Sequence, residues 1–228
     1  MLNLKICADF LRAHSQHSGA VLRAGHAHEL AAAFFGYRSA AACRTEVTYP
    51  LSNMRLAEVL FPNIPMMEWR SDTLESLSEN VPSSNELAHA LAEHLTNQGH
   101  YAGKVFIADK LNNAIIDYAE AELAFSITNG EGVSGAIAET NAAFDEMETH
   151  QADSYLDSGT LHSSISGTLY GDHDFTSDRA FYGDKIAFSS ELTFEQVSGR
   201  IGFMNAAHDT TGHVDDSDYF DDQLHETA

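Results

Sequence analysis

The chain has 228 residues, 43% of them apolar and 10% aromatic, and its thirty-four Asp and Glu against twelve Lys and Arg give a formal charge of −22 at pH 7. That apolar and aromatic content excludes disorder throughout and is enough for a sizeable core. The charge argues against direct contact with DNA, RNA or anionic membrane, and the two cysteines, Cys7 and Cys43, signal neither a disulfide framework nor a cysteine zinc site.

The charge is unevenly placed along the chain. Met1 to Leu60 has six basic and four acidic residues, whereas Phe61 to His150 and Gln151 to Ala228 each have three basic against fifteen acidic. A near-neutral head therefore carries an anionic body.

Leu2, Leu4, Ile6, Cys7, Phe10 and Leu11 mark one face of a first helix, which the polar run His14 to Gly19 is expected to end. Its apolar pattern lacks the continuous hydrophobic region and small-residue cleavage site of a secretory signal, and no stretch approaches a membrane span. The expectation is a cytoplasmic protein with two buried thiols. His26 to Phe35 reads as a second helix with Gly36 as its left-handed cap, and Ser39 caps a short third helix through Arg44.

The four prolines, Pro50, Pro62, Pro65 and Pro82, punctuate a connector with short helices such as Ser52 to Phe61. Ser83 followed by Glu86 predicts a capping box and a helix through Leu87, Leu91 and Leu95 that stops at Gly99. Lys104 to Ala108 is a short strand candidate. Asp109 to Thr128 reads as a long helix closed by Asn129-Gly130.

Beyond Gly159 the apolar period falls to two. Leu161, Ser163, Ile165, Gly167 and Leu169 form one strand face, Ile186, Phe188, Leu192, Phe194 and Val197 another, and Arg200 to Met204 a third strand after the Ser198-Gly199 turn. Gly171 to Gly183 reads as a polar hairpin connection, and His208 to Ala228, with seven acids and no Lys or Arg, as a solvated strand plus flexible tail. The fold class expected is α+β: a small helical module over 1–48, the connector over 49–82, and an acidic α+β domain over 83–228 with a helical middle, an antiparallel sheet and a flexible acidic tail.

Leu2 to Glu46 carries Ala27-His28-Glu29-Leu30 and Ala33-Phe34-Phe35-Gly36-Tyr37-Arg38-Ser39. This segment, about a fifth of the chain, resembles the small helical module called the glyoxalase-related domain. The resemblance implies a protein of bacterial plasmids or integrative elements; it implies no catalytic residue.

Three clusters have metal-ligand chemistry. His26, His28 and Glu29 lie at a helix start, but positions two apart on a helix diverge, so capping and packing explain them. Asp172, His173, Asp174 and Asp178 in the hairpin connection lack the glycine and terminal glutamate of a calcium loop. His173 would be the zinc-type ligand there, whereas His208, Asp209, His213, Asp215, Asp216 and Asp218 mix imidazole with carboxylate that would bind a divalent metal only weakly, and a solvated tail is the expected role. No nucleophile elbow and no phosphate-cradling loop with its lysine is present. No cofactor is expected.

The anionic body therefore directs the functional expectation to a basic bacterial nucleic-acid-binding protein or complex as partner. Duplex DNA presents one negative charge per ~1.7 Å. Part of that array would be imitated by Glu68, Asp72, Glu75, Glu79, Glu86, Glu93, Asp117, Glu120, Glu122, Asp145, Glu146 and Glu148, on segments read as helical, with Trp69, Tyr155, Tyr219 and Phe220 as aromatic anchors. The expected function is a non-enzymatic inhibitor of a defence complex, of anti-CRISPR or anti-restriction type. The alternatives are a small metal-dependent, glyoxalase-like enzyme and an interaction module of a plasmid or integrative element.

Overall fold

The computed structural model describes residues 2–140, 142–172 and 184–215. It is an α+β protein, 44% helix and 28% strand, with one parallel strand pair among antiparallel ones. The chain forms two compact units: Met1–Ala114, Asp157–Leu161 and Phe194–Ala206 make unit 1, and Ile115–Leu156, His162–Thr193 and Ala207–Ala228 make unit 2. These do not follow the expected divisions at 48/49 and 82/83, because long-range packing joins the head to segments far along the chain.

In unit 1, α1 (Leu4–His17), α2 (Ala24–Phe34) and α3 (Ala40–Thr45) occur in the expected order, although α1 runs on through the polar stretch to His17. Helix α2 is the centre. Its Ala27, Leu30, Ala31, Ala32, Ala33 and Phe34 are all fully buried, and the alanines let α1, α3 and α4 (Ile64–Thr73) approach it. Gly36 at φ +82° ends it: Tyr37 N–H donates to Ala32 O and Gly36 N–H to Ala33 O, the paired bonds of a left-handed helix stop. Ser39 accepts from Ala42 N at 3.1 Å, so α3 has its expected cap.

The Ser83–Glu86 capping box is formed, with Glu86 N–H on Ser83 Oγ at 3.2 Å and Ser83 N–H on Glu86 Oε2 at 2.8 Å. It starts α5 (Ser84–Asn97), whose Leu87, Leu91 and Leu95 join the same core as the head helices. The proposed helix over Ser52 to Phe61 is corrected: Leu51–Leu56 is a single 3-10 helix after Pro50, and Val59–Leu60 is strand β1, both residues fully buried. Strand β2 (Lys104–Val105) pairs parallel to β1, and β6 (Gly202–Phe203) pairs antiparallel to it. The end of β5 (Lys185–Ser198) completes this set against β6.

Unit 2 is a layer of helices on a layer of antiparallel strands. The expected helix over 109–128 is present as α6 (Leu111–Tyr118) and α7 (Ala124–Thr128), but a π-helical turn at Ala119–Leu123 interrupts it. Helix α8 (Glu131–Thr140) follows. Helix then gives way to β3 (Ala143–Asp157), so the helical reading of Asp145, Glu146 and Glu148 is corrected. The buried positions of β3 are Phe144, Thr149 and Ala152, spaced by five and three, and a strict two-residue period is absent. Strand β4 (Thr160–Asp172) buries the predicted face Leu161, Ser163, Ile165, Gly167 and Leu169. In β5 the buried face continues through Gln196 and Ser198 rather than Val197.

Strand β7 (Ala207–Val214) pairs antiparallel with β5 from Ala207↔Thr193 to Val214↔Ile186. Its solvated reading holds for one face, where Ala207, Asp209, Thr211 and His213 are exposed, but α8 lies on the other. A Cβ on Gly132 would stand 1.6 Å from Thr210 O, so only glycine permits this approach. No helix among the described residues is long and apolar enough to cross a membrane.

Candidate functional site

The expected metal clusters do not assemble among the described residues, where no group of three or more His, Cys, Asp or Glu is placed to hold a metal ion. Asp172 is the exposed last residue of β4, while His173, Asp174 and Asp178 lie outside the described residues. His208 and His213 are five apart on β7 and therefore on opposite faces of the strand. His208 is committed locally: Nε2 stands 3.0 Å from Ser126 Oγ on α7, and Nδ1 3.3 Å from Thr210 Oγ1. Thr210 Oγ1 in turn meets Ser190 Oγ at 2.8 Å, so a chain of hydroxyls ties α7, β7 and β5 together.

The head cluster is likewise structural. His28 Nδ1 is 2.8 Å from Ala24 O on its own helix. Glu29 accepts from Ala40 N at 3.1 Å and from Arg70 Nη2 at 2.7 Å, which joins α2, α3 and α4.

A general acid or base would be sought among shifted groups in a cleft. The cleft of about 560 Å3 lined by His14, Asn85, Glu86 and His89 comes nearest. Its carboxylate is already spent: the Ser83 backbone N–H and hydroxyl hold Glu86 below its ordinary range, the wrong direction for a proton donor. The thiols of Cys7 and Cys43 are pushed up to about 12 by burial, which leaves neither a nucleophile. Burial beside Glu46 raises Tyr37, and burial beside Glu58 raises Tyr101, whose hydroxyl donates to Lys104 O at 2.6 Å.

The acidic residues divide between the units. Glu68 and Asp72 are exposed on α4, Glu75 and Glu79 stand in the non-helical segment before α5, and Glu86 and Glu93 are exposed on α5. In unit 2, Asp117 is exposed on α6, and Glu120 and Glu122 occupy the π turn. Asp145, Glu146 and Glu148 are exposed on β3. Carboxylates of unit 2 are partly used: Glu120 Oε1 accepts from Thr149 N at 2.9 Å, and Glu148 Oε2 from Tyr170 Oη at 3.0 Å. The latter bond raises Tyr170.

Counted by unit, the imbalance is sharper than along the chain. Among the described residues, unit 1 has thirteen Asp and Glu against ten Lys and Arg, and unit 2 has fourteen against one. Most of the net charge of the described residues therefore belongs to one unit. The pieces of chain that unit 1 takes from beyond residue 61 bring Arg70, Lys104, Lys110 and Arg200 with them.

Of the aromatic anchors, Trp69 is 45% exposed beside Arg70, whose guanidinium carbon lies 5.8 Å from the indole centroid. Trp69 also borders an open cleft of about 470 Å3 with Arg38, Asn63, Pro65 and Met66. Tyr155 is 63% exposed, its ring stacked on His162 at 5.0 Å. Tyr219 and Phe220 lie outside the described residues. Sequence reasoning missed Phe125, which at 81% is the most exposed aromatic side chain among the described residues. Seven residues after Tyr118, it has the spacing of a buried position, and the one sequence signal against that reading is Glu122, seven residues after Ile115. Comparison with protein-family models, with curated proteins and with solved structures found no match to this chain.

Proposed function

We propose that the protein is a non-enzymatic acidic inhibitor that acts in the bacterial cytoplasm and occupies the basic nucleic-acid-binding surface of a defence complex, of CRISPR or restriction type. The observation that carries this reading is the fourteen acids against one base among the described residues of unit 2, beside thirteen against ten in unit 1. A net charge of about 2 to 8 keeps a small domain soluble, and adaptation to salt would act on both units alike. An excess confined to one unit costs stability through self-repulsion. A basic partner offsets that cost when it binds, and the same field speeds encounter with it.

The test is to mix the purified protein with CRISPR effector and restriction complexes at low and moderate salt. Binding is expected to weaken with salt and to fall when Asp117, Asp145, Glu146 and Glu148 are changed to their amides. Amide changes at Glu68, Asp72 and Glu93 in unit 1 should have a smaller effect. Failure to bind any such complex, or binding indifferent to the unit 2 changes, would sink the proposal.

A further inference from the structure

The π turn at Ala119–Leu123 decides which side chains the α6–α7 helix buries. In an uninterrupted α-helix, residues seven apart share a face. Ile115 would then bring Glu122 to the buried line, and Tyr118, 1% exposed, would bring Phe125 there. A carboxylate on the buried line is costly. The π turn takes up one extra residue, which rotates the chain beyond it by about 100°. Leu123 and Ile127 become buried instead, and Phe125 swings out.

One tertiary contact, from the middle of α7, holds this rotation, and a local bond closes the helix end. Ser126 Oγ meets His208 Nε2 at 3.0 Å on β7, and Asn129 Nδ2 donates to Phe125 O at 2.8 Å. The outcome is an exposed row at four-residue spacing, Asp117, Ala121, Phe125 and Asn129, with Glu120 exposed beside it. Phe125 stands as an apolar knob, the small Ala121 lies one turn before it, and Asp117 and Glu120 lie on the N-terminal side of both.

We propose that this row is the docking face of unit 2 and that its occupant is a basic amphipathic helix of the partner. Charge complementarity selects that occupant. Its aliphatic side chains close over Phe125 and Ala121, and the Lys or Arg side chains beside them reach Asp117 and Glu120. A buried aromatic anchor is the kind of side chain that dominates an interface, and Phe125 would become one once the partner helix closes over it. The inference rests on the proposed function for the basic character of the partner, and adds where and through which side chain it is held.

Two peptides of equal positive charge test it with the full-length protein: an oligo-arginine, and an amphipathic helix with Leu along one face bordered by Arg. The wild-type protein should bind the amphipathic peptide about tenfold more tightly, and Phe125→Ala should reduce it to the oligo-arginine level. Phe125 is exposed, so circular dichroism should show the variant folded. Asp117→Asn should weaken both peptides. Equal binding of the amphipathic peptide by wild type and Phe125→Ala, or no preference between the peptides, would overturn the docking face. Loss of oligo-arginine binding even at low salt would overturn the docking face and the proposed function together. A supporting peptide result alongside failure with the defence complexes would leave the face standing and remove only the proposed function.

Discussion

Glu29 receives the Arg70 guanidinium at 2.7 Å and the Ala40 backbone N–H at 3.1 Å, so a single carboxylate ties α4 to α2 and supplies a donor partner at the start of α3. The side chains of the pair are only 21% and 23% exposed, and Arg70 Nε is buried with no hydrogen-bond partner among the described residues. Removing the carboxylate leaves a largely desolvated cation and an orphaned helix N–H. Glu29→Ala is therefore expected to cost about 2–3 kcal/mol in urea unfolding. Arg70→Met, which replaces the cation by an apolar side chain, should cost less.

The two glycines of α8 should respond in opposite directions to alanine. At Gly132 the new Cβ would meet Thr210 O at 1.6 Å, and since that atom is backbone, α8 must move off β7. A loss of about 3 kcal/mol is expected. At Gly135 nothing lies within 4 Å, and alanine should stabilise by about 1 kcal/mol through helix propensity alone. Equal effects in thermal melts would refute the close approach.

Cys7 and Cys43 should be silent to thiol reagents in the native protein. Burial pushes both up to about 12, so almost no thiolate is present at pH 8, and both are shielded from the reagent. Labelling with a disulfide reagent should follow the unfolding transition in urea, two thiols together, and prompt labelling of either without denaturant would contradict the packing of α1 and α3.

Glu46 should give unit 1 an acid sensitivity that a glutamine lacks. Its carboxylate accepts the Tyr49 and Thr48 backbone N–H groups and the Tyr37 hydroxyl, which hold its pKa below the ordinary value. A carboxyl lowered on folding contributes its full stability above the unfolded-state value, and loses it as pH falls through the lowered folded value. Glu46→Gln should therefore be less stable than wild type at neutral pH and converge with it in strong acid. Taking the difference between the two proteins removes the opposite effect of acid on unit 2, where protonation relieves self-repulsion.

Much of the local structure was legible in the order of residues. The Ser83–Glu86 box, the Gly36 stop, the Ser39 cap and the two-residue period of β4 and β5 each depend on neighbours within a few positions, and each appears as read. The sign of the charge and its absence from the head were equally plain. Strand β3 was not, because its Phe144, Thr149 and Ala152 are spaced irregularly and its acids resemble those of the helices before it.

Only the tertiary structure decided which residues share a unit, that His208 faces Ser126 while His213 turns away, and that a π turn exposes Phe125. The physical reason is common to all three. Caps and periods are interactions within a turn or two of chain, whereas the assignment of β5 and β7, the covering of β7 by α8 and the avoidance of a buried Glu122 depend on partners brought from distant positions. The composition determined that this protein is anionic, and folding decided that most of the charge of the described residues falls in one unit.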